Sequence, residues 1–562
     1  MNNSSYRWWQ DAVIYQIYPR SFKDANNDGI GDLQGIIAGL DHLQKLGVDV
    51  LWLSPFYASP NVDNGYDIAD YQAIHPDFGT MADFESLLTH THQRGMKLII
   101  DLVVNHSSDQ HRWFQESKKS VDNPYRDYYI WQKPKLVNGQ KQVPNNWISF
   151  FSGSAWEFDP QTDEYYLHLF AKQQPDLNWE NPVLRQEIYA MMKFWLDKGV
   201  NGFRMDVIPF LSKDTTFADY PKGRFGDLSL YANGPKIHDY LWEMNREVLS
   251  KYDCMTVGEC FGVASHQGLL YVGEFRQELN LLYHFDHAVP REEHRFLKPA
   301  EELKLSEIKQ IVYKWFEALR PTGWQNFYLG NHDNPRAVSR FGEIEQYRYE
   351  SATMLATLLF CLPGVPTIYQ GDEIGMTNCK FESVVEFDDI QVKNAFEVLV
   401  TQNGGSETEF LDACNAIARD HARTPYQWND SVNAGFNASA KPWLKVNPNY
   451  QDINLASQEK HEQSIFHFYQ SLIAFRKQNQ ALIRGEYSDP LPDSEEVYAF
   501  VRSYQAEEVL VLVNFTNQAQ IITLSLDGYT LLFGNYSQNN DFETTRQLSA
   551  FQTLIFRKTN DI

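Results

Sequence analysis

Cysteine is scarce in this sequence, and the few cysteines form no recognisable pattern. The 562 residues include five, at Cys254, Cys260, Cys361, Cys379 and Cys414. Their number is odd, and their spacing matches neither a disulfide framework nor a zinc site. Free thiols in a reducing compartment are the simplest explanation, and we therefore expect a cytoplasmic protein.

Positive charge and long apolar runs are scarce as well. Lys and Arg number 49 against 73 Asp and Glu, which gives a formal net charge of −24 at pH 7. Such a field repels nucleic acids and anionic membranes, so we expect neither as a partner. The most apolar long stretch, 351–369, is interrupted by Pro363, Gly364 and Pro366 and is too short to span a bilayer. Residues 1–10 combine neither a basic start nor an apolar run, so we expect no signal peptide.

Apolar, β-rich runs alternate with helical patterns through most of the chain. The first strand candidates are Val13–Pro19, Val50–Phe56 and Lys97–Val104, separated by helical segments that stop at Gly47 and Gly95. Five further candidates follow, at Gly202–Ile208, Met255–Glu259, Leu279–Phe285, Asn326–Leu329 and Pro366–Tyr369. About eight strands separated by helices predict an α/β protein built on a closed parallel TIM (β/α)8 barrel.

Two segments break this alternation and predict additional domains. Residues 105–178 are rich in Trp, Tyr, Asn and Ser and indicate an inserted irregular subdomain after strand 3. Near the end, Glu496–Ser503 and Val509–Val513 alternate with turns and predict a C-terminal all-β sandwich domain. The predicted division is barrel 1–104, inserted subdomain 105–178, barrel 179–484 and β domain 485–562.

Three carboxylates stand at matching points of the predicted barrel. Asp206 and Glu259 end the fourth and fifth predicted strands, and Asp333 follows the seventh. Catalytic groups of such barrels lie at the carboxyl ends of the strands, where the loops meet. One such acid alone is compatible with a surface or capping role, but three together favour a catalytic set. Two carboxylates suffice for glycoside hydrolysis, one as nucleophile or base and the other as acid.

Ordered motifs extend along nearly the whole chain. They are DLVVNH at 101–106, QPDLN at 174–178, GFRMDV at 202–207, VGE at 257–259, NHD at 331–333 and ARTPYQW at 422–428. In this order the sequence resembles the α-amylase superfamily of glycoside hydrolases. The motifs at 174–178 and 422–428 are similar to those of its oligo-1,6-glucosidase and α-glucosidase branch in particular.

The resemblance implies the roles of the acidic residues in a retaining mechanism. Asp206 would be the nucleophile, Glu259 the general acid/base, and Asp333 a third carboxylate that grips sugar hydroxyls in the distorted transition state. Arg204 lies two residues before Asp206 and hence on the same face of the strand, where its charge can keep Asp206 ionised. Glu259 must hold a proton at neutral pH, so we expect a less polar setting that raises its pKa.

The resemblance also implies residues that surround the cleaved glucose. His106 and His332 would donate to glucose hydroxyls, although a lone histidine is more often structural. Tyr66 resembles the residue that stacks on the glucose ring. Asp63 and Arg423 resemble the pair that closes around the far hydroxyl and makes attack exo, although Asp63 taken alone indicates only a turn.

Three positions of the inserted subdomain, together with the residue after the nucleophile, complete this set. Phe151 and Phe170 correspond to pocket aromatics and Gln174 to a polar pocket residue, although each could equally belong to the core of the subdomain. Val207 directly follows the nucleophile. Valine there resembles the α-1,6-acting members of the family, whereas α-1,4-acting members tend to carry a smaller or polar residue.

Together these features predict an exo-acting retaining α-glucosidase that releases terminal non-reducing glucose from short α-linked oligosaccharides. Isomaltose-type α-1,6 substrates are the first choice, with a covalent glucosyl–Asp206 intermediate. Asn334 and the pair Cys260-Phe261 depart from the oligo-1,6-glucosidase pattern, so sucrose, its isomers, maltose and sucrose isomerisation stay open. Trehalose-6-phosphate hydrolysis finds no obvious basic cluster, and a non-catalytic relative conflicts with the retained carboxylates. We expect a monomer or weak homodimer whose partner is a small-molecule oligosaccharide.

The segment DANNDGIGD at 24–32 indicates a metal loop. Oxygen ligands on alternate residues around a glycine are what a calcium loop needs, although a plain Asx/Gly turn has the same composition. Its match to the family's own metal loop implies a structural Ca²⁺ and no organic cofactor. The implied ligands are the side chains of Asp24, Asn26, Asp28 and Asp32 and the carbonyl of Ile30.

Overall fold

An eight-stranded parallel sheet forms the centre of the molecule. The computed structural model describes residues 7–220, 228, 230–288, 296, 303–536, 542 and 546–559. The strands of the sheet are β1 (Ile14–Ile17), β2 (Val50–Leu53), β3 (Lys97–Leu102), β4 (Gly202–Met205), β5 (Met255–Glu259), β6 (Leu281–Tyr283), β7 (Asn326–Tyr328) and β8 (Val365–Tyr369). Successive strands pair with each other, β8 pairs with β1, and β6 meets β7 at the bridge between Leu282 and Gln325. The sheet is therefore closed, and the predicted TIM barrel is confirmed.

The strands are buried on both of their faces. Residues such as Ile14, Val50 and Ile99 belong to an apolar cluster of the barrel interior. Their neighbours Tyr15 and Leu51 belong instead to the larger cluster that packs the strands against the surrounding helices. Burial on both faces explains why these strands are nearly continuous apolar runs rather than alternating ones.

Eight helices follow the strands in turn, as a (β/α)8 barrel requires. They are α1 (Leu33–Leu46), α2 (Met81–Gln93), α3 (Pro182–Asp197), α4 (Ile237–Glu247), α5 (Gly268–Val272), α6 (Leu305–Leu319), α7 (Arg348–Cys361) and α8 (Ile465–Gln478). Asp32 caps the start of α1, and its side chain accepts from the Gly35 N–H. Gly47 caps the end of α1, with φ of 95°. Among the described residues, no helix has both the length and the apolar character needed to cross a membrane.

The segment after β3 contains more regular structure than the sequence predicts. Three short antiparallel strands, Trp131–Gln132, Trp156–Asp159 and Glu164–Leu167, form a small sheet there, beside the hairpin of Lys135–Val137 and Gln140–Gln142. Strands of two to four residues are too short to show a period of two in the sequence.

A second long segment lies between β8 and α8. It includes the helices Ile390–Phe396 and Glu407–Ile417 and has its own apolar cluster around Phe381, Phe387 and Phe410. The strand–helix alternation of the sequence does not separate this segment from the barrel, because its helices have ordinary amphipathic patterns. It supplies basic and acidic side chains to the site described below.

The C-terminal part of the chain is all-β. Its five-stranded antiparallel sheet is built from β9 (Glu486–Ser488), β10 (Val497–Tyr504), β11 (Glu507–Asn514), β12 (Thr530–Gly534) and β13 (Thr553–Thr559). A two-stranded sheet, Gln520–Ile521 with Gln547–Leu548, packs against it through a shared apolar cluster, which confirms the predicted β domain.

Buried basic side chains tie this β domain to the barrel. The Lys309 ammonium on α6 donates to the carbonyls of Leu491, Ser494 and Val497 at 2.7–2.9 Å. Helix α7 is buried from Ser351 to Cys361, because it lies between the barrel and the β domain. The apolar stretch noted in the sequence is therefore an internal helix and the strand that follows it.

Candidate active site at the carboxyl ends of the barrel strands

The structure brings the predicted nucleophile and acid to one guanidinium. Asp206 directly follows β4, and Glu259 is the last residue of β5. Arg204 Nη1 lies 2.6 Å from Asp206 Oδ1, and its Nη2 lies 2.7 Å from Glu259 Oε2. The two carboxyl groups therefore lie side by side in one cavity, at the rim where barrel enzymes place their chemistry.

Arg204 is itself fixed by buried neighbours. Its Nη1 donates to Asp101 Oδ1 at 2.7 Å, and its Nε donates to the Tyr283 hydroxyl at 3.0 Å. Trp52 Nε1 donates to the second oxygen of Asp101 at 3.0 Å. Because Nη1, Nη2 and Nε of Arg204 all have acceptors, the guanidinium is held in one orientation next to both carboxyl groups.

Burial separates the proton affinities of the two acids. Burial raises the pKa of Asp206 to about 6, against the lowering effect of the Arg204 charge. Burial raises the pKa of Glu259 to about 8, again opposed by Arg204 and reinforced by the neighbouring Asp206 carboxylate. At neutral pH, Asp206 is therefore mainly ionised and Glu259 mainly protonated, as a nucleophile and an acid must be.

Val207 contributes to the site through its backbone. It has φ of 34° and ψ of 43°, a left-handed conformation that is a genuine outlier for a β-branched residue. In this conformation its N–H donates to Glu259 Oε2 at 2.8 Å. A strained residue between the nucleophile and the acid thus orients the acid, in keeping with the frequent location of backbone strain at functional sites.

Tyr66 and His332 form one wall of the cavity. Their rings are stacked at a centroid distance of 5.2 Å and an angle of 5°. Tyr66 Oη lies 2.6 Å from His332 Nε2, and Gln16 Nε2 donates to His332 Nδ1 at 2.8 Å. Burial lowers the pKa of His332 to about 3, so its imidazole is neutral with the proton on Nε2. Gln16 lies on β1, and nothing in its sequence context distinguishes it.

Asp63 and Arg423, which we expect to close around the far hydroxyl, each have a direct ion partner in the structure. Arg419 Nη2 lies 3.3 Å from Asp63 Oδ1, whereas Arg423 Nη2 lies 2.9 Å from Asp333 Oδ1. Arg419 also reaches Asp333 at 3.1 Å and is anchored by Asp389 at 2.5 Å. The two arginines are four residues apart, one helical turn, so both can point into the same cavity.

The same ion group sets the charge of the third carboxylate. Burial alone would raise the pKa of Asp333, but His332, Arg419 and Arg423 lower it below the usual range. Because the imidazole of His332 is neutral, we assign this effect to the two arginines. Asp333 is therefore an anion across the working pH range and presents oxygen acceptors to a ligand.

His106 and Gln174 contact each other beside Tyr66 and Asp63. His106 Nε2 lies 3.0 Å from the Tyr66 carbonyl oxygen and 3.2 Å from Gln174 Nε2. Gln174 Nε2 also donates to Asp63 Oδ2 at 3.1 Å. These contacts place Gln174 next to Asp63 and His106 next to Gln174.

The two predicted aromatic residues of the segment after β3 lie beside these polar groups. The Phe170 ring centroid is 5.1 Å from that of His106, and the Arg419 guanidinium lies over the Phe151 ring at 5.4 Å. Phe151 and Phe170 are themselves in edge contact at 5.6 Å. Both therefore lie at the cavity, and Phe151 also supports the arginine that the sequence did not identify.

The loop of residues 24–32 folds tightly around its acidic side chains. Asp24 Oδ1 accepts from Asn27 N at 2.6 Å, and Asp32 Oδ2 accepts from Asn26 N at 3.1 Å. No carboxylate of this loop has a Lys, Arg or His partner in the part of the chain that the structure describes. Hard oxygen donors of this kind suit Ca²⁺. In this structure the oxygens of Asp24 and Asp32 accept from N–H groups, and no described cluster of three or more His, Cys, Asp or Glu side chains has metal-site geometry. Four predicted ligands, Asp24, Asn26, Asp28 and Asp32, are linked within this loop, and Ile30 N donates to Asp28 Oδ1 at 2.9 Å.

An ionised and a protonated carboxyl group on one arginine, at the carboxyl ends of TIM-barrel strands, define a glycoside hydrolase. Comparison with known proteins agrees with this class. Residues 16–485 match the family described as "Alpha amylase, catalytic domain", and residues 497–555 match the "Alpha-amylase SusG C-terminal domain". The chain belongs to the α-amylase family.

The chain is similar to named relatives over nearly its whole length. It is 52% identical over 525 residues, 92% of each chain, to a protein from Parageobacillus thermoglucosidasius named oligo-1,6-glucosidase. It is 49% identical over 558 residues, 98% of this chain and 99% of the relative, to the oligo-1,6-glucosidase of Bacillus cereus. The crystal structure of a mutant isomaltulose synthase from Erwinia rhapontici NX5, in complex with sucrose, covers 100% of both chains at 46% identity and a TM-score of 0.95.

Proposed function

We propose that this protein is an exo-acting retaining α-glucosidase that prefers short α-1,6-linked oligosaccharides of the isomaltose type. The observation that carries the proposal is the shared guanidinium of Arg204, which places an ionised Asp206 beside a protonated Glu259. The two similar oligo-1,6-glucosidases support the same class of substrate.

The reaction proceeds in two steps that use these two residues in turn. Glu259 donates its proton to the glycosidic oxygen while the Asp206 carboxylate attacks the anomeric carbon, so the leaving sugar departs and a glucosyl ester forms. Glu259, now a carboxylate, takes a proton from water, which attacks the same carbon and releases Asp206. Two inversions give glucose with the configuration of the substrate, and Glu259 ends the cycle protonated.

The ion group at the inner end of the cavity limits attack to terminal glucose. Asp63, Arg419 and Asp333 bridge this end, and Asp389 holds Arg419 from behind. A non-reducing glucose finds charged hydrogen-bond partners for its hydroxyls there, and a longer chain finds no passage. Removal of one glucose at a time follows from this closure.

Val207 supports the preference for α-1,6 linkages. Val207 is 8% exposed, directly follows the nucleophile and belongs to the apolar cluster that includes Phe210 and Trp147. A branched apolar side chain at this position narrows the space beside the acid where the leaving sugar departs. The 6-oxygen, on a flexible primary carbon, tolerates such a constraint better than the 4-oxygen, which is attached directly to a ring carbon.

Sucrose isomerisation is a second candidate, favoured by the similarity to the isomaltulose synthase structure. Such an enzyme forms the same glucosyl ester, but fructose rather than water captures it. The two candidates therefore differ in the acceptor and not in Asp206 or Glu259.

A substrate panel tests the proposal. The purified protein is incubated with isomaltose, isomaltulose, sucrose, maltose, trehalose and trehalose-6-phosphate, and the products are separated by chromatography. We expect glucose release to be fastest from isomaltose and to vanish in Asp206→Asn and Glu259→Gln. Faster cleavage of maltose contradicts the linkage preference, and conversion of sucrose into its isomers without net hydrolysis supports the second candidate.

We also propose that the loop of residues 24–32 binds a structural Ca²⁺. Asp24, Asn26, Asp28, Asp32 and the Ile30 carbonyl would hold the ion, which would offset the charge of three neighbouring carboxylates. The loop directly precedes α1, so the ion would stabilise the first β/α connection rather than take part in chemistry.

We further propose a cytoplasmic location and activity as a monomer or weak homodimer. All five cysteines are unpaired, as a reducing compartment favours. The site is complete within one chain, so turnover needs no second copy. The formal net charge of −24 argues against nucleic acid and anionic membrane as partners.

A further inference from the structure

A buried lysine next to the sugar pocket has no part in the mechanism above. Lys213 lies in the loop after β4 and is 6% exposed. Its ammonium donates to Asn105 Oδ1 at 2.8 Å and to the Phe210 carbonyl at 2.6 Å, and it lies 2.9 Å from Asp176 Oδ2. Lys213 thus donates two hydrogen bonds, and its charge is balanced by one buried carboxylate.

This lysine determines which way the Asn105 amide faces. An ammonium can only donate, so Asn105 must present its oxygen to Lys213. The amide nitrogen of Asn105 then faces His106 Nδ1, at 3.2 Å. Because an amide N–H₂ group can only donate, His106 Nδ1 must be the acceptor and therefore carries no proton.

The other side of the His106 ring requires the same tautomer. His106 Nε2 lies 3.0 Å from the Tyr66 carbonyl oxygen, which can only accept. A neutral imidazole with its proton on Nε2 satisfies both of these neighbours. The opposite tautomer satisfies neither of them and could accept only from the Gln174 amide nitrogen. Nε2 is also the ring atom next to Gln174, at 3.2 Å, on the side of the sugar pocket.

We infer that Lys213, acting through Asn105, is a positioning residue that fixes the Nε2–H tautomer of His106. The ring then donates to the Tyr66 carbonyl in the free protein and keeps at Nε2 an N–H donor that a bound sugar can share. The inference rests on the proposed function for the identity of the ligand, but the tautomer itself follows from the contacts of the free protein. Burial also lowers the pKa of His106, which keeps the ring neutral.

A purely structural role for Lys213 is the competing explanation, because Asp176 is buried and needs a counter-ion. Asn105→Asp separates the two explanations. The new carboxylate keeps the volume of Asn105 and still accepts from Lys213, so the ion group remains intact. It turns an acceptor rather than a donor toward His106 Nδ1, which must then take up a proton.

The test is a long-range ¹H–¹⁵N correlation spectrum of protein labelled with ¹⁵N in its histidine rings. A His106→Gln variant identifies the His106 signals. In the unmodified protein we expect the pattern of an Nε2–H tautomer with unprotonated Nδ1. In Asn105→Asp we expect a protonated Nδ1, and in Lys213→Met, where the Asn105 amide is free to rotate, we expect both forms. An unchanged His106 pattern in both variants overturns the inference.

Kinetics provide a second readout with a matched control. Asn105→Asp and Lys213→Met should lower kcat/KM for 4-nitrophenyl α-glucoside by about 10- to 100-fold, the usual effect of losing a group that orients a binding histidine. Lys309→Met removes a lysine with the same kind of buried contacts, far from the site. This control should lower the melting temperature yet leave kcat/KM and the His106 spectrum unchanged.

The two readouts separate this inference from the proposed function. The spectrum requires no turnover, so a failed substrate panel with the expected tautomer pattern contradicts only the proposed function. Full activity on isomaltose with an unaltered His106 spectrum in both variants contradicts only the role of Lys213.

Discussion

Asp206 and Glu259 share one guanidinium yet differ in proton affinity by about two pKa units, from about 6 to about 8. Burial raises the pKa of both acids, and the Asp206 carboxylate raises the pKa of the neighbouring Glu259 further. This difference lets two similar side chains take opposite roles at one pH.

The pH dependence of kcat/KM should therefore be bell-shaped. Activity should be lost as the pH falls through about 6, where Asp206 becomes protonated, and as it rises through about 8, where Glu259 loses its proton. The measurement is kcat/KM for isomaltose across the acid and alkaline range. In Glu259→Gln, assayed with 4-nitrophenyl α-glucoside, whose leaving group needs no acid, the alkaline limb should disappear. An alkaline limb that persists in this variant contradicts the assignment of Glu259.

Val207 should be a site where function opposes stability. Val207→Gly and Val207→Ala both remove the side chain, but only glycine adopts φ of 34° without steric cost. We expect the glycine variant to be about 1 kcal/mol more stable than the alanine variant in denaturant unfolding. The ratio of isomaltose to maltose hydrolysis should fall to the same extent in both. Equal stabilities would show that the left-handed conformation carries no strain.

Single residues of the site were predictable from the sequence where a motif contained them. The carboxylates, His106 and His332 all lie where the motifs place them, because strand ends of a barrel converge on one rim. Arg419 was missed because it lies outside the 422–428 motif, one helical turn before Arg423. The sequence does not reveal the path of the segment that contains it. Lys213 was missed because a lysine in a loop indicates solvent exposure, and only the fold shows its burial.

At the level of elements, the regular part of the barrel was the most predictable. Buried strands with glycine-terminated helices, such as β2 and α1, combine a clear apolar run with clear stop signals. The segment after β3 was predicted to be irregular because its strands, such as Trp156–Asp159, are too short for a periodic pattern. The segment between β8 and α8 was not recognised as distinct, because its place outside the barrel depends on tertiary contacts alone.

The loop before α1 provides a prediction at this scale. If Ca²⁺ binds there, a chelator should lower the melting temperature by several degrees, and added Ca²⁺ should restore it. Asp28→Asn removes one proposed ligand charge and should weaken this response, whereas Asp41→Asn, at an exposed position on α1, should not. A melting temperature that is indifferent to chelator in the unmodified protein contradicts the proposed metal.

For the whole molecule, the β domain and the barrel are joined by buried basic side chains. Arg502 on β10 is 1% exposed and donates to the carbonyls of Cys361 on α7 and Gly485 at 2.9 Å and 3.0 Å. Burial lowers the pKa of Arg502 to about 9. Cys361 ends α7, and Gly485 directly follows the short helix Gln480–Arg484, so this residue couples the two parts of the chain.

Arg502→Met should destabilise the protein without affecting catalysis. Two carbonyls would lose their donor inside the interface, which should lower the free energy of unfolding by about 2–5 kcal/mol. The measurement is denaturant unfolding together with kcat/KM for isomaltose. Arg557→Met, at a half-exposed site of the same sheet, should change stability by only about 0.5 kcal/mol. Similar losses in both variants would show that Arg502 does not couple the domains.

The ion group of Asp63, Arg419 and Asp333 determines the order in which substrate, water and products enter and leave the pocket. A pocket with a blind end has a single entrance, which substrate, water and both products must share. The leaving sugar departs first because it lies at the entrance. Water then reaches the glucosyl ester only through the space that the leaving sugar has vacated. Glucose departs last and re-enters by the same route, so free glucose competes directly with fresh substrate for the empty enzyme.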